Sequence, residues 1–212
     1  MTDAAAPRPR LVLECIYYAT AIFFFVYLFV YFWTTEGGPT LLAMTLVPVT
    51  YILFVLMSLR DDDLYPALPP LANYLIAAVY IACAVIVGLY MHTEYYALGT
   101  ERAGDWNSTD TTMGALMALL VLEYSRKRHM PLFVLNIVLI LYAVYGYVVP
   151  GMFYHAGLSW HRVITAMSVE NTTGVFSNLP QIALTVVGAF LLVLSTLSGF
   201  GCIESLLRAT KR

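Results

Sequence analysis

The sequence predicts an all-α integral membrane protein of about six transmembrane helices. Both termini are expected on the inner side, with a short amphipathic outer helix between spans five and six. Three observations carry that expectation. Apolar residues make up 60% of the 212 positions and charged residues 11%, less than half the charged share of ordinary soluble domains, so a soluble fold of this size cannot hide its apolar side chains from water. The apolar residues fall into long uninterrupted runs, several of them near the 20 residues that cross a bilayer core of about 30 Å. The cations fall on alternate connecting segments, as the positive-inside rule requires.

The polar, Pro-containing segment 1–10 reads as an inner tail, 11–207 as a single helical membrane domain and 208–212 as a basic inner tail. No small-residue cleavage site follows the first apolar run, so it reads as a retained helix rather than a signal peptide. That run covers 11–33 and ends on Tyr31, Phe32 and Trp33, rings that suit a membrane interface. The second, 41–59, stops at Arg60 and three aspartates, and Pro48 is expected to kink it. The third, 71–90, is entered from Pro69 and Pro70. The fifth covers 132–149 and the sixth 182–207. The fourth is the short one: its clearly apolar part, 113–124, gives only about 18 Å of rise. Asp110 can cap a helix starting at Thr111, and polar turns must extend it at both ends. The alternative is an interfacial or re-entrant segment.

Charge decides for the span. With the N-terminus inside, Arg8, Arg10, Arg60, Arg126, Lys127, Arg128, Arg208, Lys211 and Arg212 fall inside, and only Arg102 and Arg162 outside. Deleting the fourth span would strand the last six of those nine cations outside. Arg126, Lys127 and Arg128 then form an inner basic anchor for anionic headgroups.

In the outer loop 150–181, Ser159 can cap a short helix with Trp160, Val163, Ile164 and Met167 on one face. Such a helix either floats at the interface or presents His161, Arg162 and Glu170 as an outer docking surface for an external partner. The triplets at Asn107 and Asn171 match the glycosylation pattern, which Ser/Thr-rich loops also produce by chance.

Functional chemistry inside a membrane shows as ionisable groups within the spans. Glu14, Glu123 and Glu204 all lie near inner ends, where cationic neighbours can pair with them. His92, His129, His155 and His161 are all expected in loops, and Cys15, Cys83 and Cys202 lack metal-type spacing. No catalytic set, cofactor site or metal site is expected, and no basic excess suggests nucleic acid. Asn136 is the most deeply placed strong polar side chain and is expected to bond across to another helix. Small residues that admit close helix approach, Gly146 with Pro150 and Gly151, then Gly188 and Gly199, join Glu123 and Asn136 as expected subunit-packing positions.

From the fourth run onward the sequence resembles the permeases of tripartite ATP-independent periplasmic (TRAP) transporters of the TAXI type. The resemblance rests on Glu123-Tyr124-Ser125-Arg126-Lys127 with the apolar run before it, then Tyr142 and Gly146. It continues through Val149-Pro150-Gly151-Met152-Phe153-Tyr154-His155-Ala156-Gly157-Leu158-Ser159, Thr173-Gly174-Val175-Phe176-Ser177 and Gly188-Ala189-Phe190-Leu191. Ser177 stands where that family has the second glycine of a turn. The resemblance implies an importer of organic anions in the bacterial cytoplasmic (inner) membrane, fed by a secreted or periplasmic substrate-binding protein and driven by an ion gradient. The family's Gly/Ser-rich hairpin tips, which hold ion and substrate, have no counterpart here. The resemblance therefore implies either the N-terminal part of the family's usually fused permease or, the favoured reading, a small, non-catalytic membrane subunit beside a large membrane transport subunit on a separate chain. The alternative is a self-sufficient small membrane carrier or channel, which lacks support from any internal repeat.

Overall fold

The computed structural model describes residues 8–170, 173–202, 205 and 208. Glu204, Lys211, Arg212, most of both tails and the Asn171 triplet's first two positions lie outside them. The described residues form helices α1 (Arg8–Thr34), α2 (Gly38–Arg60), α3 (Pro70–Gly99), α4 (Ser108–Arg128), α5 (Met130–Tyr145), α6 (Trp160–Ser168), α7 (Asn178–Ile182) and α8 (Gly188–Gly199). A π-helical turn, Ala183–Val187, joins α7 and α8 into one span. No strand occurs among the described residues. Five helical segments are long and apolar enough to cross a membrane: Leu11–Thr34, Gly38–Arg60, Pro70–Gly99, Met130–Val148 and Asn178–Gly199. The protein is therefore an all-α chain of multi-pass membrane character. Helix α4, with its polar first turn and three terminal cations, is not among the five.

Helix α2 is the axis of the fold. Over half of its apolar window, 56%, is buried, against 6% for the first span, 11% for the fifth helix and none for the last. It packs most extensively on α3, then on α1, and also touches α4 and α7. The α1–α2 turn is tight because Gly37 takes a left-handed φ of 69°, where an added Cβ would overlap Leu41. Pro48 does not divide α2, which runs as one helix through it. The site tolerates the ring because α3 offers Gly88, whose Cβ position lies 3.2 Å from Pro48 Cβ. Met44, Val55, Ala84, Val87, Met91 and Met117 are fully enclosed where α2, α3 and α4 meet.

Two ends can be named from the side chains they carry. The basic end holds Arg60, Asp61–Asp63 and Arg126–Arg128; the distal end holds the α1–α2 turn. Helix α3 continues nine residues past the expected stop at residue 90, because Met91, Tyr95 and Leu98 keep packing on the core. His92 is consequently helical rather than in a loop, and its Nδ1 lies 2.8 Å from Thr45 Oγ1. His161 is likewise in a helix, α6. Helix α4 starts three residues before the expected position. Asn107 is its cap and Asp110 its third residue, and the two close a reciprocal capping box, with Asp110 N donating to Asn107 Oδ1 at 2.8 Å and Asn107 N to Asp110 Oδ2 at 3.0 Å.

Helix α6 has the expected Ser159 cap and buries one face, Val163, Thr165 and Ser168, against α4 and α5, while Trp160, His161 and Arg162 remain exposed. Trp160 meets Tyr145 edge-on at 6.2 Å, and Val163 and Met167 share a cavity with Asn136 and Leu139 further along α5. It thus descends antiparallel to α5 while its other side presses on α4 at Gly114. An added Cβ there would overlap Ser168 Oγ and Val169.

After this descent the last span turns back. Helix α7 packs on α2 and its Pro180 lines the same groove as Val47 and Thr50, and eight residues later Gly188 meets Leu28 of α1. Tyr27 bonds Thr45, so Leu28 is level with the distal part of α2. The span therefore runs parallel to α1, and Gly199 points to the distal end. The sixth span is expected to run toward the basic end, whereas these contacts direct Asn178–Gly199 toward the distal end, after α6 and the turn to Ser177 have supplied the descent.

Candidate functional site

Three features carry the chemistry of the bundle: a polar lock at each end and a groove between them. At the basic end, Glu123 sits one turn before the three cations of α4. The helix places Arg126 three residues on, within reach of a fork-to-fork pair. Its Nε donates to Glu123 Oε2 at 2.7 Å and its NH2 to Oε1 at 2.6 Å. The Tyr65 hydroxyl donates to Glu123 Oε1 at 2.6 Å and lies 2.9 Å from the Tyr80 hydroxyl. Lys127 Nζ donates to the Leu64 carbonyl and stands over the Tyr65 ring, 3.5 Å from its centroid. Arg128 faces Asp63 at 3.7 Å and lies over Phe54. The expected basic anchor is thus turned onto the α2–α3 loop. Burial, and then the hydrogen bonds to Glu123 and Tyr80, raise the Tyr65 phenol above its ordinary value, which keeps it a donor.

At the distal end the enclosed carboxylate is Asp110, with no exposure. The Tyr90 hydroxyl donates to its Oδ1 at 2.6 Å, and Arg102 bridges Asp110 at 3.5 Å and Glu94 at 2.6 Å. Arg162 lies over the Trp106 ring and pairs with Glu170 at 3.3 Å, and His161 Nε2 lies 3.4 Å from Thr111 Oγ1. The expected docking trio therefore makes contacts within the chain. Sequence reading missed this lock, although Asp110 three residues after Asn107 is a capping-box signal.

The expected packing positions divide. Gly146 is used inside the chain: an added Cβ would overlap the His155 ring. His155 Nε2 donates to Tyr142 O at 2.9 Å and its Nδ1 accepts from Gly157 N at 3.0 Å, which fixes the tautomer. Gly188 meets Leu28, while Pro150, Gly151 and Gly199 are exposed. Asn136 is exposed on α5, at the edge of a small apolar cavity of about 270 Å³ shared with α6. No hydrogen bond to its amide occurs among the described residues.

Between α1, α2 and α4 runs an apolar groove of about 700 Å³. Met117, Val121, Tyr124 and Arg128 of α4 line it at helical spacing, opposite Val47, Tyr51, Phe54 and Met57 of α2. Tyr17 of α1, and Val175 and Pro180 from the segment after α6, also line it. No family model matches this chain, and no match to it is found among curated proteins or solved structures.

Proposed function

We propose that this chain is the small, non-transporting membrane subunit of a TAXI-type TRAP importer in a bacterial inner membrane. In this reading its N-terminus lies on the cytoplasmic side and it braces a large transport subunit served by an external binding protein. Asn136 is the observation that supports the reading most directly. An amide in an apolar medium without a partner costs roughly 2 kcal/mol or more, and α5 carries this one on its exposed face. A helix of another subunit that supplies a donor and an acceptor there removes the cost. The two end locks and the packed α2–α3–α4 core suit a static frame: they hold charge at the ends and keep the middle apolar.

The test is co-purification in mild detergent with Asn136→Leu as the comparison. The native chain is expected to carry a large polytopic subunit, and uptake is expected only when that subunit and the binding protein are both present. Asn136→Leu should fold as stably as the native chain and lose the large subunit. Gradient-driven uptake by the purified chain alone would overturn the proposal.

A further inference from the structure

We propose that the groove between α1, α2 and α4 is a phospholipid site. One acyl chain lies along Val121 and Phe54, and the lipid phosphate is held at the mouth by Arg128. Such a site is independent of the subunit role and of the α5 face.

The groove's length chooses the occupant. From Met117 to Arg128 the lining face of α4 rises about 16 Å, half of a hydrocarbon core of about 30 Å. Val175 and Pro180 also line it. A crossing helix needs the full core, about twice the length of this face. A lipid chain of one leaflet matches the face in length.

The charges choose the headgroup. Arg128 lines the groove, lies over its Phe54 wall at 5.4 Å, and meets its one described acidic neighbour, Asp63, at the long distance of 3.7 Å. On the opposite flank Arg60 lies over the Tyr17 wall at 5.3 Å, although Asp61 holds it at 3.2 Å. Arginine is suited to this task, because its flat donor fork binds phosphate oxygens while its face stacks on a ring. The wall behind it is mostly apolar, with Val47, Leu53, Met117 and Val121 along it, which suits a hydrocarbon tail better than a free anion.

The experiment uses the intact chain in detergent, equilibrated with phosphatidylglycerol or phosphatidylcholine, and counts retained lipid by native mass spectrometry. The native chain is expected to keep one lipid, with phosphatidylglycerol favoured several-fold. Arg128→Gln should bring the two lipids to parity without emptying the groove. Val121→Trp fills the wall and should abolish retention. Met57→Trp does the same at the exposed mouth, where the added ring leaves the core alone, so it reads the site even if Val121→Trp unfolds. Phe29→Trp, on the exposed side of α1, should leave retention unchanged. Retention that survives Met57→Trp, an undiminished preference in Arg128→Gln, or a second protein copy in place of lipid would each overturn the assignment.

Discussion

The Tyr90 hydroxyl donates to Asp110 across 2.6 Å, joining α3 to the first turn of α4 at a carboxylate with no exposure to solvent. The same carboxylate closes the capping box with Asn107 and faces Arg102. One side chain thereby satisfies a helix terminus, fixes the α3–α4 loop and neutralises a cation.

Asp110→Ala should therefore cost more than a cap alone. Cap removal is worth about 1 kcal/mol, and a hydrogen bond to a charged group about 1.5–3 kcal/mol. The expected loss is about 2–4 kcal/mol of unfolding free energy in detergent, read by denaturant titration. Asp110→Asn keeps an acceptor for Tyr90 and should lose about half as much.

Gly114 predicts a paired result. Gly114→Ala drives a methyl group into Ser168 and Val169, and overpacking of this kind typically costs about 1–3 kcal/mol. Ser168→Gly removes one of the two obstacles, so the double variant should recover part of the loss. Equal instability of Gly114→Ala with and without Ser168→Gly would show that α6 does not press on α4 there.

Much of this was legible in the sequence, for identifiable reasons. Spans such as α2 announce themselves because hydrocarbon demands about 20 apolar residues in a row. The Ser159 cap and the Glu123–Arg126 pair follow from spacing along one helix. Tyr65 beneath Lys127, Tyr90 on Asp110 and His155 against Gly146 depend on which helices become neighbours, and no local period encodes that. The neighbours of helix α6 were not legible, because its strong amphipathic pattern is shared by interfacial helices and by helices that bury one face on a neighbour.

Tyr65 supplies a pH test. Its phenol is raised in the folded protein, first by burial and then by Glu123 and Tyr80. The unfolded phenol ionises near pH 10 while the folded one stays protonated. The unfolded state then binds fewer protons, so this residue's contribution to stability is intact below about pH 10 and falls as pH rises above it. Tyr65→Phe should lower stability at neutral pH and flatten the decline above pH 10. An unchanged alkaline slope would remove Tyr65 from the lock.

The direction of the last span gives the sharpest test, because packing and charge disagree about it. The sequence counts nine cations inside and two outside when both termini lie inside. In the structure, Pro180 lines the groove with Val47 and Gly188 meets Leu28, which directs Gly199 toward the end that holds Thr35. If the basic tail follows Gly199 to that side, the division of cations becomes six and five, which leaves little orienting bias. Apolar packing stands against this: Leu184 and Leu192 fit the cluster around Leu28, Leu42 and Leu46. Contacts of this kind order helices after insertion, whereas flanking cations act during it. Single cysteines at Thr35, Asp62 and Gly199, in a chain whose own cysteines are replaced, can be labelled from one face of sealed vesicles. The packing predicts that Gly199→Cys reacts with Thr35→Cys and opposite to Asp62→Cys. If Gly199→Cys reacts with Asp62→Cys, charge has won, and the last span must leave Leu28 and cross the bilayer antiparallel to α1.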